Sequence, residues 1–390
     1  MPPPTDRAPT ALPSAQLGDG VLAAAQDELV ESLRSLIRIP SVNPAPSDRP
    51  DGETRAAEWL AEALDEAGVP AEILELVPGR GSLVARLRGD GTGGEPLLLL
   101  SHLDVVPAPP DRWTHDPFGG DLADGYIWGR GAVDMKHLVA MELSVVRMLA
   151  LEARAAGRDP SSDPIPGLTR DVIFASTADE EAGGLNGIAW IIAERPDLLR
   201  AAGAINESGA VATSFRGRRF YPIGVVEKGY AVYRLTVRGT WGHGSIPRDD
   251  NALVRAASAV ARLAAPGPPR ATPVMRTFLE RAGAEVDEAA GRVLRALASD
   301  DPRLADAGLD AVCDPIFARV LRALLRDTIS PDVLHAGVKY NVVPGEATIE
   351  VDCRVLPGTS EEDMREIIVG RLGDLAGVVD VELVIHAPAV

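Results

Sequence analysis

Only two cysteines, Cys313 and Cys353, occur in 390 residues. Neither lies in a C-x-x-C spacing, so no disulfide framework and no thiolate metal site is expected. Positive charge is also scarce. The 39 Lys and Arg face 57 Asp and Glu, and a formal net charge of −18 argues against nucleic acid or an anionic membrane as partner. No uncharged apolar run approaches the length that spans a bilayer. The glycine-rich GDGTGGEP at residues 89–96 lacks a following G-K-[ST], so it reads as a turn rather than a phosphate cradle. The first twenty residues carry five prolines and no apolar core. A disordered tail over 1–20 is expected there rather than a secretory signal. These absences leave a cytoplasmic globular protein, and at this length with 46% hydrophobic residues two domains are expected.

Among what is present, DVIFASTADEE at 171–181 organises the chain. An apolar run bounded by polar residues and leading straight into acids fits a buried parallel strand that opens onto a site at its C-terminal end. Glu180 and Glu181 stand side by side there. Adjacent carboxylates repel, so a fold that keeps both gives them different partners, such as a cation for one and a proton or water for the other. A solvated acidic loop is the plainer account of the same residues.

Apolar residues recur at helical spacing over 21–39 and 53–67, and three strands follow at 71–77, 82–87 and 96–100. A long helical pattern runs from Met135 to Ala156. Strands alternating with helices up to about 226 indicate an α/β unit with a mostly parallel sheet. The order then changes. A strand over 228–237, a helix over 251–264, a hairpin of 333–343 with 347–356 around Pro344-Gly345, a helix opened by Ser360 and a strand over 378–385 make β-α-β-β-α-β, the order of a ferredoxin-like sandwich. The expected domains are therefore 21–226 and 227–388, with a mostly helical insertion at about 266–330.

Three further spots carry chemistry. His102 and Asp104 in SHLDVVP end a strand, where residues two apart face the same side, so an imidazole and its orienting carboxylate can act together. A lone H-x-D also describes an ordinary loop histidine. Asp134 in GRGAVDMK precedes the long helix and could serve simply as its N-cap. Glu207 in AINESGA follows an apolar stretch.

Taken together, SHLDVVP, W-x-x-D-P-F-G-G, GRGAVDMK, ADEE, NESGA, RGTWGHGSIP and NVVPGEATIEVDCRVLPG resemble the co-catalytic zinc hydrolases that include glutamate carboxypeptidase, succinyl-diaminopimelate desuccinylase, aminoacylase and carboxypeptidase S. The likeness runs from about Gln26 to His386. It implies an inserted lid or dimerisation domain, and two zinc ions per subunit, replaceable by cobalt or manganese, that share a bridging carboxylate and a water. It implies His102 and Glu207 as ligands of one zinc, Glu181 as ligand of the other and Asp134 as the bridge. Asp104 would hold the His102 imidazole, and Glu180 would be the general base. His243 would stabilise the oxyanion, often from a partner subunit, while Asn341 and Arg354 would hold a substrate carboxylate. The implied reaction cleaves an amide beside a free carboxylate, in a short peptide or an N-acyl amino acid. The implied partner is a second copy, bound through the lid.

Two departures stand out. The residues after DMK, small glycines in the relatives, are His137 and Leu138 here. The relatives also carry a last zinc-binding histidine in a segment beyond the small domain, and His386 does not match it. A weak second zinc site is therefore expected, with His137, three residues after Asp134 on a helix, as the nearest substitute ligand.

Overall fold

The computed structural model describes residues 19–43, 51–207, 212–298 and 308–390. The chain divides into two compact units, Met1–Ser208 and Gly209–Val390. All but the last two residues of the expected tail lie outside the described residues. Asp19 and Gly20 already belong to the first helix.

The first unit is built on five strands: β1 (Ala71–Glu75), β2 (Gly81–Leu87), β3 (Leu97–His102), β4 (Val172–Thr177) and β5 (Gly203–Ile205), in spatial order β1-β2-β4-β3-β5. β3 runs parallel to both β4 and β5, whereas β2 is antiparallel to both neighbours. Four of the five strands therefore point the same way, as the strand–helix alternation predicts. Helices α1 (Asp19–Ile37), α2 (Gly52–Glu66) and α3 (Lys136–Ala155) cover one face through Leu36, Leu60, Leu64 and Leu143, which share a core with Phe174 of β4. On the other face Leu98, Ile173 and Ala175 pack with Ile191 and Leu199. A sheet covered on both sides requires apolar residues at consecutive positions, which is why 172–175 reads as an unbroken apolar run.

The Lys136 ammonium is fully buried and donates to the carbonyls of Leu36 (2.8 Å) and Ile39 (2.7 Å) at the end of α1. Burial lowers its pKa to about 7, with the Asp104 carboxylate opposing the shift. The lysine of the DMK motif thus ties two helices together.

The second unit contains β6 (Gly229–Arg238), α4 (Ala252–Leu263), β7 (Thr328–Ala336), β8 (Glu346–Val355), α5 (Glu361–Leu372) and β9 (Val379–Ala387). The strands lie in the order β7-β8-β6-β9 and every pairing is antiparallel, the arrangement of a ferredoxin-like sandwich. Ala231, Tyr233, Leu235 and Val237 of β6 alternate inward against Ala256, Ile349, Val351 and Ile368. Ser360 and Asp363 form a reciprocal cap at the start of α5.

Two sequence expectations shift. The expected hairpin starts five residues early: β7 is Thr328–Ala336, and Gly337 at φ 76° ends it in a conformation that glycine adopts freely. Val342–Val343 pairs instead with Gly242–His243. The division between units also falls ahead of the expected 226/227. A hairpin of Thr213–Phe215 with Arg218–Phe220 joins the core of the helical insertion, where Phe215 packs with Leu279, Leu294 and Leu321. The hairpin ahead of β6 therefore belongs to the second unit. Among the described residues of the insertion, the helices Pro273–Ala284, Glu288–Leu297 and Pro315–Leu324 are each capped by a side chain, from Thr272, Asp287 and Asp314.

Among the described residues no helix is long and apolar enough to cross a membrane.

Candidate metal centre

His102 is the last residue of β3, Glu180 and Glu181 follow the end of β4, and Glu207 follows the end of β5. These are C-terminal ends of neighbouring parallel strands, where an open α/β sheet gathers its ligands. Asp134 comes from the turn before α3. The helix starts only at Lys136 and Met135 occupies the cap position, so Asp134 is not its N-cap.

One ligand atom each from His102, Asp134 and Glu207 lie within 4.8 Å of one another, the only such group of three or more among the described residues. The His102 ring is 2% exposed. Its Nδ1–H donates to the Asp104 carbonyl at 3.0 Å, with the Asp104 carboxylate at 3.4 Å. Nε2 is thereby left facing Asp134 Oδ1 at 3.1 Å, Glu180 Oε2 at 3.7 Å and Glu207 Oε2 at 3.8 Å. Asp104 thus meets the imidazole more closely through its main-chain carbonyl than through its carboxylate. Its fully buried carboxylate also serves the acidic turn, accepting the Glu180 and Glu181 amides at 3.1 and 2.9 Å and the Asn43 side chain at 2.9 Å.

The electrostatics of the cluster call for a cation. Burial alone would lower the His102 pKa, but Asp104, Glu180 and Glu207 outweigh it and raise the imidazole to about 9. Glu181 is pushed up to about 6, by burial first and then by Asp134. Glu180 and Glu207 also rise, burial being the main cause and His102 opposing it in each. One histidine and several carboxylates around a small space fit a divalent metal: the donors are right for zinc, and an orienting partner already holds the imidazole.

Glu181 stands outside the three-donor group, although Asp134 is the charge it feels most. His137 is outside the group too. Its Nδ1 is buried without a hydrogen-bond partner, and burial lowers its pKa against the pull of Asp134.

In the second unit His243 lies opposite Val342, and Gly244 N–H donates to the Asn341 carbonyl, so His243 and Asn341 are neighbours. The Asn341 side-chain oxygen is buried and unpartnered. Arg354 is placed elsewhere. It pairs with Tyr230 at the opposite end of β8 from Glu346, eight residues away, or about 27 Å at the usual rise per residue. Its guanidinium forks onto Asp352 at 2.8 and 2.9 Å and lies 5.3 Å above the Tyr230 ring. Within one chain, Asn341 and Arg354 thus occupy opposite ends of the sheet.

Three buried polar residues behind the acidic pair, Asn43, Glu53 and Asp179, and the partly buried Arg80 escaped the sequence reading. Glu53 opens α2 and looks like any first-turn acid, and Arg80 is one charged residue in a loop. Only Asp179, adjacent to the pair, carried a local signal.

Residues 98–284 match the model of Peptidase family M20/M25/M40, and residues 225–379 match that of the Peptidase dimerisation domain. The chain is 27% identical over 360 residues to the N-fatty-acyl-amino acid synthase/hydrolase PM20D1 of Xenopus tropicalis, covering 89% of this chain and 65% of that one. It is 31% identical over 305 residues to a probable carboxypeptidase S-like 2 of Dictyostelium discoideum, covering 73% and 52%. The chain thus spans about half to two-thirds of the length of these curated relatives. In fold it is similar to human carnosine dipeptidase 1, with a TM-score of 0.69 at 17% identity over 95% of this chain and 80% of that one.

Proposed function

The chain belongs to peptidase family M20/M25/M40 and carries the family's dimerisation domain, and from that premise we propose that it is a metal-dependent hydrolase of an amide bond beside a free carboxylate, in an N-acyl amino acid or a short peptide. The convergence of His102, Asp134 and Glu207, with Glu180 beside them, carries this reading. A bound divalent ion would polarise the scissile carbonyl and acidify a water. His102, Asp134 and Glu207 would hold one ion, and Asp134 and Glu181 a second. Glu180 accepts the proton of the attacking water and returns it to the leaving amine. Its raised pKa suits both transfers. His243 donates to the oxyanion. Asn341 and Arg354 bind the substrate carboxylate, and because one chain sets them at opposite ends of a sheet, a second copy supplies His243 and Asn341 to the site that Arg354 serves.

The relatives' names divide between acyl-amino acids and peptides. Turnover of a panel of short-acyl, succinyl and fatty-acyl amino acids and dipeptides, with protein loaded with zinc, cobalt or manganese, separates the two. No turnover of any member by the loaded protein would leave a metal-binding relative without this activity.

Two expectations follow from the charges. Metal ligation requires a neutral imidazole, and His102 at about 9 is mostly protonated at pH 7. Metal binding at pH 7 should therefore release close to one proton from His102, and affinity should climb about tenfold per pH unit and level off above about pH 9, as the imidazole becomes neutral. Calorimetry in buffers of different ionisation enthalpy reads the release directly, and a heat independent of buffer would contradict it. Arg354→Ala should weaken substrates with a free carboxylate and leave amidated analogues nearly unaffected. The Arg354 side chain is 56% exposed and already bound to Asp352, so the loss should fall below the roughly 2–5 kcal/mol of a broken buried pair, at about tenfold in kcat/KM. Equal losses on both kinds of substrate would remove Arg354 from the site.

A further inference from the structure

The acidic pair sits on a short turn, Glu180–Ala182, entered through Asp179 in the left-handed region at φ 70°. An aspartate tolerates that conformation better than most residues, yet something must hold it there. Gly187 closes the loop so tightly that a Cβ would lie 1.8 Å from the Ala178 carbonyl oxygen. The amides of residues 179 to 181 are each held by a buried carboxylate. Glu53 accepts the Asp179 amide at 2.8 Å, and Asp104 accepts those of Glu180 and Glu181.

One guanidinium joins these carboxylates. Arg80 Nη1 donates to Glu53 and to Asp179, each at 3.0 Å, and Nη2 donates to Asn43 Oδ1 at 2.8 Å. Asn43 passes the link on, donating to Asp104 at 2.9 Å and to Asp179 at 3.2 Å. The other Asp179 oxygen accepts the Asn186 main-chain and side-chain amides, both at 2.9 Å. Side-chain exposure is 15% for Arg80, 2% for Glu53 and 3% for Asp179. Burying charges in this way is a poor route to stability, because apolar residues of equal volume often do as well. It does fix geometry, and the planar fork of an arginine holds its three acceptors in one rigid arrangement, which the freely rotating ammonium of a lysine does not.

We propose that Arg80 is the positioning residue of the acidic pair: through Asp179, and through Asn43 and Asp104, it sets where the Glu180 and Glu181 carboxylates stand. The inference rests on the reading of Glu180 as proton carrier and Glu181 as metal ligand. Its role is indirect, because Arg80 touches neither carboxylate.

The test compares Arg80→Lys, Arg80→Gln and Asn186→Ala with the parent full chain, in thermal unfolding, in zinc affinity by competition with a chromophoric chelator, and in kcat and KM on the best substrate of the panel. Arg80→Lys should fold, bind the second zinc equivalent, the one assigned to Glu181, roughly 10–100-fold more weakly and lose kcat by a similar factor while KM stays within about threefold, as for other residues that orient ligands from behind. Arg80→Gln should lose more. Asn186→Ala leaves the apolar core intact and should lose less, in the same direction, which keeps the test decisive if the Arg80 variants fail to fold. Variants that melt earlier but keep the parent's kcat and zinc affinity would make the network merely structural and overturn the proposal. If the parent hydrolyses nothing on the panel while zinc affinity still falls, the assigned activity fails and the positioning role stands.

Discussion

Glu180→Gln should cut turnover by roughly 10²–10⁴-fold while leaving metal content unchanged. The substitution keeps the shape of the side chain and removes its basicity. Nothing that positions the residue is lost, because the turn is fixed through the Glu180 main-chain amide on Asp104 rather than through the carboxylate. The carboxylate itself is about half exposed and stands 3.7 Å from His102 Nε2, outside the three-donor group. Burial raises its pKa, with Asp104 and Asp134 adding to the rise and His102 opposing it, so it accepts a proton more readily than a surface glutamate. Metal retention after dialysis, measured beside kcat, separates the two members of the pair. Loss of metal together with activity would mean that Glu180 is the ligand and Glu181 the proton carrier.

The two acids were legible in the sequence because they are local: they end an apolar run whose burial on both faces shows as consecutive hydrophobic residues. His102 and Asp104 were legible for the same reason, as a pair two apart at a strand end. The sandwich order was readable from alternation, since β6 buries every second residue. The residues that hold the acidic turn were not. Arg80 meets Glu53 across 27 residues and Asp179 across 99, and no periodicity encodes a contact of that kind. The placement of Arg354 escaped for a different reason. Sequence gives the separation of Asn341 and Arg354 along the chain, but whether Val342–Val343 continues β7 or leaves it to pair with Gly242–His243 is decided by tertiary competition for backbone partners. Once that segment leaves the main sheet, Asn341 goes with His243 and Arg354 stays at the other end.

His102→Ala should weaken metal binding by more than the 10–100-fold typical of losing an outer partner, because it removes the sole imidazole of the three-donor group. Two carboxylates alone make a poor zinc site, since zinc favours nitrogen or sulfur among its ligands. Glu181→Gln should behave differently. It leaves His102, Asp134 and Glu207 in place, so the tighter metal should remain and only a weaker second equivalent should be lost. His137→Ala should change neither, because the His137 ring, although its Nδ1 lacks a partner, contributes no atom to the group. On these grounds the dialysed parent should retain about one equivalent of zinc, the second position having Asp134 and Glu181 without an imidazole among the described residues. Elemental analysis of the four proteins decides the assignment. Two equivalents retained by the parent, with one lost on His137→Ala, would place that histidine in the second position. Loss of the tight metal on Glu181→Gln would move Glu181 into the first.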